Sequence, residues 1–221
     1  MEFGKTIKGI IFDIDGVLLD SMEIWTDLGA RYVQSRGKEP EEGLADILFS
    51  MSMEQGAEYL KNRYLPDMTC SAISDGLQDM LRTFYYDEVE AKPGVKKLLA
   101  NMQTAGVRMT AATSSPRGHV ERALERNGLL RYIERIFTCS EIGVSKHSPD
   151  IYDACAAFMG LEKNEICVFE DSLYALKTAA KAGYHTVGVY DAKGEPDQEG
   201  MQETAEVYIE TAEDLQPDFP E

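Results

Sequence analysis

Two hydrophobic periods alternate along the second half of the chain, and this alternation constrains the fold more than any other feature. Short apolar runs typical of strands are separated by stretches in which apolar residues recur at helical spacing. The predicted strands lie at residues 7–12, 107–113, 136–140, 166–170, 186–190 and 207–209. Strands that alternate with helices in this way indicate a parallel sheet with helices on both faces. We therefore expect an α/β core.

The region from about residue 20 to residue 90 has a different pattern, because its apolar residues recur at helical spacing and no strand run interrupts them. It follows the first strand, and open α/β sheets bind ligands at the carboxyl ends of their strands. We expect a small helical cap at residues 19–91, inserted into a core of residues 1–18 and 92–221. Trp25 follows the Asp13–Asp15 loop closely and could line the pocket, but its helical spacing with Leu28 favours a position in the interior of this insertion.

The charge balance is strongly acidic, with 22 Lys and Arg against 39 Asp and Glu and a net charge of −17. Such a surface argues against binding nucleic acid or anionic membranes. The four cysteines match neither a zinc pattern nor a dense disulfide framework, so we expect reduced, mostly buried thiols. No signal-peptide pattern or membrane-length apolar run is present. These features predict a cytoplasmic protein, which we expect to be a monomer.

Four groups of polar side chains fall at the carboxyl ends of predicted strands. They are Asp13 with Asp15, Thr113 with Ser114, Lys146, and Glu170 with Asp171. The carboxyl ends of parallel strands meet at one edge of a sheet, so these groups should converge. Carboxylates bind Mg²⁺, whereas a lysine and hydroxyl or backbone N–H donors neutralise phosphate oxygens. The pattern favours metal-assisted phosphoryl transfer.

Simpler interpretations explain single residues of this pattern. The Asp-x-Asp-Gly sequence could open a calcium loop, but Val17 and Ile24 stand where that loop needs an acid and a glutamate. Asp13 alone, or Glu170 with Asp171, could cap a helix. Lys146 alone could be a solvated surface lysine. None of these interpretations explains the four groups together.

Four segments carry a resemblance to a known family. They are Asp13-Ile-Asp15-Gly-Val-Leu-Leu-Asp20-Ser, Thr113-Ser-Ser, Lys146-His-Ser-Pro-Asp150 and Phe169-Glu-Asp171-Ser. In this order they resemble the four motifs of the haloacid dehalogenase (HAD) superfamily, in particular the β-phosphoglucomutase-like phosphatases with a helical cap. The resemblance covers nearly the whole chain and implies a Rossmann-like core.

The resemblance also implies roles for single residues in phosphate transfer. Asp13 would be the nucleophile that becomes an aspartyl-phosphate, and Asp15 would protonate the leaving oxygen and then activate water. Lys146 would offset the charge on Asp13 and on the phosphoryl group. Thr113 and the backbone beside Ser114 would hold that group.

Further binding roles follow from the same resemblance. Mg²⁺ would be bound by Asp13, Asp171 and the backbone carbonyl of Asp15, with Glu170 as a ligand or a neighbour of the ligands. Gly16 would let the chain turn close to the phosphate. Arg117, in the first turn of the next helix, is a candidate for binding an anionic substrate, with a plain surface arginine as the alternative.

Departures from the family pattern bear on the choice of reaction. Trp25 stands where the mutase branch places a histidine, the Gly-Arg segment of that cap is not evident at residues 48–52, and His147 replaces a common proline. The first two favour a phosphatase of a small phosphorylated metabolite over a sugar phosphomutase. A non-catalytic binding protein should lack Asp13 or Asp15. Dehalogenase chemistry would use no Mg²⁺ and would lack Asp15.

Overall fold

The computed structural model of the chain describes residues 7–49 and 51–215. The predictions that fall on residues 1–6 and 216–221, at the two ends of the expected core, lie outside the described residues. So does Ser50, within the segment 48–52.

A single parallel sheet of six strands organises the described part of the core. The strands are β1 (Gly9–Phe12), β2 (Arg108–Thr113), β3 (Arg135–Thr138), β4 (Ile166–Glu170), β5 (His185–Val189) and β6 (Val207–Ile209). Their order is β3-β2-β1-β4-β5-β6, and each neighbouring pair is parallel. Strand β1 therefore lies in the middle, where Phe12 pairs with Ala111 and Phe169. The predicted Rossmann-like α/β fold is confirmed.

Residues Ser21–Glu88 form a compact helical unit of their own. It contains α1 (Met22–Ser35), α2 (Leu44–Phe49), α3 (Met53–Arg63), α4 (Cys70–Thr83) and a π-helical turn, Phe84–Glu88. Helix α1 buries Ile24, Leu28 and Tyr32, which recur every four residues. Trp25 lies beside this stripe and is 42% exposed, so its predicted interior position is wrong.

Helices of the core connect its strands. They are α5 (Val95–Thr104), α6 (Arg117–Arg126), α7 (Cys139–Ile142), α8 (Asp150–Met159), α9 (Leu173–Ala182) and α10 (Gln198–Thr204). Helix α8 packs on β1, β2 and β3, whereas α9 packs on β4 and β5. Short 3₁₀ turns lie at Leu130–Tyr132, Lys163–Glu165 and Ala212–Asp214.

The third strand is shorter than its apolar pattern predicts. It ends at Thr138, whose hydroxyl accepts a 3.3 Å hydrogen bond from the N–H of Glu141 and so caps α7. Residues 139 and 140 belong to that helix, and their prediction as strand is wrong. A capping interaction of this kind overrides the weak strand signal of the preceding residues.

The boundaries of the helical unit also differ from those expected. Leu19 bridges to Ala91, and the N–H of Asp20 donates to the carbonyl of Glu90 at 2.9 Å. This pairing keeps the segments on either side of the insertion within the core unit, which resumes at Val89.

The cytoplasmic location was predicted from reduced, mostly buried cysteines and from the lack of a membrane-length apolar run. Cys155 and Cys167 are buried, Cys70 and Cys139 are half-buried, and all four are free thiols. Among the described residues no helix is both long and apolar enough to cross a membrane. The cytoplasmic location stays a prediction.

Candidate active site

The sequence-predicted acids and the lysine meet at the carboxyl edge of the sheet. Asp13 directly follows β1, and its N–H donates to the carbonyl of Phe169 at 2.9 Å, which continues the pairing of β1 with β4. Glu170 ends β4 and Asp171 follows it. All three acids are buried. The sheet thus holds three carboxyl groups together and removes them from water.

Lys146 links the two sides of this cluster. Its ammonium lies 2.6 Å from Oδ1 of Asp13 and 2.7 Å from Oε1 of Glu170, and its side chain is 3% exposed. Burial lowers the pKa of Lys146, but attraction to Asp13 and Glu170 outweighs burial and raises it. Lys146 is therefore a fixed positive charge between two acids, not a solvated surface lysine.

The acids themselves are harder to ionise than free carboxyl groups. Burial raises the pKa of Asp13 well above its ordinary value, Lys146 lowers it, and the neighbouring acids raise it further. Burial and repulsion from Glu170 raise the pKa of Asp171 to about 7. Both shifts follow because one ammonium cannot compensate several buried carboxylates.

Glu170 is held by two donors on one oxygen and by none on the other. Its Oε1 accepts from Lys146 and, at 2.8 Å, from the hydroxyl of Tyr152 on α8. Its Oε2 is buried and has no hydrogen-bond partner among the described residues. Tyr152 was not predicted from the sequence, because helical periodicity does not show which side chain of α8 meets an acid at the end of β4.

The carboxyl group of Asp15 is oriented by Ser115, a residue whose sequence context is typical of a helix cap. The hydroxyl of Ser115 donates a 2.6 Å hydrogen bond to Oδ2 of Asp15. From the sequence alone, Ser115 followed by Pro116 predicts a helix cap with a proline in the first turn. Instead Pro116 is the cap residue and α6 begins at Arg117, so that prediction is wrong. The buried hydroxyl of Ser115 is used by the site.

The loop after β1 turns sharply beneath these residues. Gly16 has a φ of 74°, in the left-handed region that favours glycine. Its N–H donates to the carbonyl of Leu19 at 3.0 Å, and Leu18 and Leu19 both donate to the carbonyl of Ile14. The turn that Gly16 was expected to make is present, and it fixes the backbone that carries Asp15.

Thr113 and Ser114 lie at the end of β2 on the same edge of the sheet. The buried hydroxyl of Thr113 accepts a 3.0 Å hydrogen bond from the N–H of Ser115. Ser114 is exposed, and its hydroxyl lies 3.5 Å from Sγ of Cys139. Their role in holding a phosphoryl group stays a prediction.

The guanidinium of Arg117 forms hydrogen bonds to two glutamates and to a backbone carbonyl. Its Nε lies 2.5 Å from Oε1 of Glu141, its Nη1 lies 2.9 Å from Glu121, and its Nη2 donates to the carbonyl of Ile136 at 2.8 Å. These contacts favour the alternative of a surface arginine that ties α6 to α7. Substrate binding by Arg117 is untested by the structure.

Comparison of the chain with known proteins identifies its family. The family model described as haloacid dehalogenase-like hydrolase matches residues 10–189. The chain belongs to that family. It is 23% identical over 188 residues to a phosphorylated carbohydrates phosphatase of Thermotoga maritima, and the match covers 82% of this chain and 84% of that protein. It is 26% identical over 182 residues to hexitol phosphatase A of Escherichia coli, covering 82% of each.

The fold of this HAD hydrolase is also found among solved structures. A Thermotoga maritima protein with the provisional name β-phosphoglucomutase superposes with a TM-score of 0.83 at 22% identity, covering 94% of this chain and 96% of that one. The predicted family is confirmed, and its β-phosphoglucomutase-like branch stays a prediction. The predicted enzyme class, a hydrolase, is confirmed as well.

The acidic cluster of this HAD hydrolase suits a divalent cation. One oxygen from each of Asp13, Glu170 and Asp171 lies within 4.8 Å of the others. The three buried carboxyl groups of Asp13, Glu170 and Asp171 interact with the ammonium of Lys146, and the buried Oε2 of Glu170 has no donor among the described residues. Hard oxygen ligands with surplus negative charge are what Mg²⁺ binds. The residues present therefore fit the ion.

Proposed function

We propose that this protein is a Mg²⁺-dependent phosphatase that hydrolyses a small phosphorylated metabolite through an aspartyl-phosphate on Asp13. The chain is a hydrolase that acts on phosphate esters, and the metal, the intermediate and the substrate are our proposals. The observation that carries them is Lys146, which lies 2.6 Å from Asp13 inside a cluster of acids. This arrangement pairs a nucleophile with a cation that can also neutralise a transferring phosphoryl group.

In the proposal, Mg²⁺ is bound by Asp13, Asp171 and the backbone carbonyl of Asp15, with Glu170 as a further ligand or an adjacent support. The ion supplies positive charge that favours ionised carboxylates and polarises phosphate oxygens. Lys146 supplies the remaining positive charge from the protein itself.

The first step transfers the phosphoryl group to the protein. A carboxylate oxygen of Asp13 forms a bond to phosphorus as the bond from phosphorus to the ester oxygen breaks. Asp15 gives its proton to the departing oxygen, which leaves as an alcohol. Lys146, the Thr113 hydroxyl and the backbone beside Ser114 and Gly16 stabilise the charge on the phosphoryl oxygens.

The second step returns the protein to its starting state. Asp15, now ionised, takes a proton from a water molecule whose oxygen attacks phosphorus. The bond between phosphorus and Asp13 breaks, and inorganic phosphate leaves. Ser115 holds the carboxyl group of Asp15 in both steps through its hydrogen bond to Oδ2.

A phosphorylated sugar or sugar alcohol is the substrate class that we propose. The relatives named above are phosphatases of phosphorylated carbohydrates and of hexitols by name. We also propose that the helical unit Ser21–Glu88 acts as the cap expected from the sequence. A cap that closes on substrate excludes water during the first step.

A panel of phosphate esters tests the proposed activity. The purified protein should release phosphate from at least one sugar or polyol phosphate with Mg²⁺ and from none with EDTA. Asp13→Asn should remove the activity, and Asp67→Asn, at an exposed acid of the helical unit, should retain it. Absence of turnover across the panel would contradict the proposal. Faster interconversion of hexose 1- and 6-phosphates than phosphate release would indicate a mutase.

A further inference from the structure

Lys92 lies outside the four motifs and has a fully satisfied ammonium group. Its Nζ donates to the carbonyl of Gly16 at 2.8 Å, to the carbonyl of Tyr190 at 2.7 Å and to Oδ2 of Asp191 at 2.9 Å. An ammonium has three protons to donate, and all three are used. The side chains of Lys92 and Asp191 are 13% and 5% exposed, so water screens this ion pair little.

The position of Lys92 connects three parts of the core. Lys92 follows the segment that returns from the helical unit, and its N–H donates to the carbonyl of Leu18 at 3.0 Å. Its ammonium reaches Gly16, the residue next to Asp15, and the loop that follows β5. The side chain of Lys92 therefore connects the turn that carries Asp15 to the segment that returns from the helical unit and to the loop that follows β5.

Asp191 extends these contacts toward the acid cluster. Its Oδ1 accepts from the N–H of Lys193 at 2.8 Å, and its carbonyl accepts from the N–H of Gly194 at 3.3 Å. A methyl group placed on Gly194 would lie 3.1 Å from Oδ2 of Asp171. The loop that Lys92 and Asp191 hold thus lies directly against a proposed metal ligand.

We propose that Lys92 is a positioning residue for the proposed general acid Asp15, and that Asp191 holds Lys92 in place. The inference rests on the proposed phosphatase function. The carboxyl group of Asp15 is held by Ser115, and the carbonyl of the next residue, Gly16, is held by Lys92. Without the ammonium, the carbonyl of Gly16 loses its donor and the turn can relax, which moves Asp15 away from the departing oxygen.

Stability of the fold alone would not require a buried ion pair between Lys92 and Asp191. A buried ion pair often contributes nothing to stability relative to apolar residues of similar volume. The stem of Lys92 also lines a small apolar cavity of about 40 Å³ with Phe12, Leu18 and Val189. Methionine can occupy that space, so we expect Lys92→Met to fold, with a lower free energy of unfolding because Asp191 stays buried without its cation.

The test uses the dependence of rate on the leaving group. An alkyl phosphate needs protonation of its departing oxygen, whereas p-nitrophenyl phosphate releases a stable anion and needs little help from an acid. The experiment measures kcat/KM for p-nitrophenyl phosphate and for the best sugar or polyol phosphate at saturating Mg²⁺. Lys163→Met is the matched control, because it removes a 2.6 Å lysine–aspartate pair that is more exposed.

We expect Lys92→Met to lower kcat/KM for the alkyl ester about tenfold or more and for the aryl ester less than about threefold. Lys163→Met should leave both values within about twofold. Equal losses on both esters, or no loss, would overturn the inference while leaving the phosphatase intact. If the wild-type protein hydrolyses neither ester, the proposed function itself fails.

A second variant keeps the test decisive if circular dichroism shows that Lys92→Met is unfolded. Asp191→Asn keeps the shape of the side chain and an acceptor oxygen but removes the charge that holds Lys92. It should produce the same selective loss on the alkyl ester, at about threefold or more. An unselective loss, or full activity, would again overturn the inference.

Discussion

The hydroxyl of Ser115 donates a 2.6 Å hydrogen bond to Oδ2 of Asp15, and so joins the loops that follow the adjacent strands β1 and β2. Both side chains are buried. The proposed general acid is thus oriented by a residue from a different strand end, and the acid cannot rotate freely before it meets a substrate.

Ser115→Ala should lower kcat for a sugar or polyol phosphate about tenfold, because Asp15 loses the donor that orients it. The free energy of unfolding should fall by about 1 kcal/mol for the lost hydrogen bond. Steady-state kinetics and urea unfolding measure the two effects. Ser35→Ala, which removes a side-chain hydrogen bond of the helical unit, is the control and should retain wild-type kcat.

Lys146→Met should destabilise the metal-free protein by about 3–5 kcal/mol, because it leaves Asp13 and Glu170 buried without their shared cation. The same substitution at Lys163, in an exposed pair, should cost less than about 1 kcal/mol. Urea unfolding in EDTA compares the two. Equal effects would show that Lys146 does not compensate buried charge.

Tyr152→Phe should weaken metal binding without removing a ligand. The hydroxyl of Tyr152 orients Glu170 through Oε1, and loss of such a support costs about tenfold in metal affinity. The measurement is the Mg²⁺ concentration that gives half-maximal activity. Tyr184→Phe removes a comparable 2.6 Å hydrogen bond to Asp153 and should leave that concentration unchanged. An unchanged value in Tyr152→Phe would argue against Glu170 at the metal site.

The ion pair between Arg117 and Glu141 should stabilise the protein in a pH-dependent way. The Arg117 guanidinium lowers the pKa of Glu141 from 4.5 to about 2. Its contribution is therefore present above pH 4.5 and is lost as the pH falls toward 2. Because Glu141 is partly exposed, Glu141→Gln should cost only about 0.5 kcal/mol at pH 6. Urea unfolding from pH 6 to pH 3 should show the difference between wild type and variant shrinking.

Much of the candidate site could be predicted from the sequence, because parallel strands place their carboxyl ends at one edge. Asp13, Lys146, Glu170 and Asp171 are predicted in this way, and the structure brings them together. Their roles in catalysis stay predictions until activity is measured.

The supporting residues could not be found in the same way. Ser115 has the local signature of a helix cap, and only the neighbouring strand decides that its hydroxyl binds Asp15. Lys92 and Tyr152 form hydrogen bonds to partners far away in sequence. Trp25 was misplaced because helical spacing tells which residues share a face, but not where the centre of the buried stripe lies.

As the proposed nucleophile, Asp13 carries the phosphoryl group during turnover. The most direct measurement is acid quenching of the working enzyme, with Mg²⁺ and its best substrate, followed by mass spectrometry of its peptides. We expect one added phosphoryl group on the peptide that contains Asp13, and none in Asp13→Asn. A phosphoryl group on another residue, or continued turnover by Asp13→Asn, would contradict it.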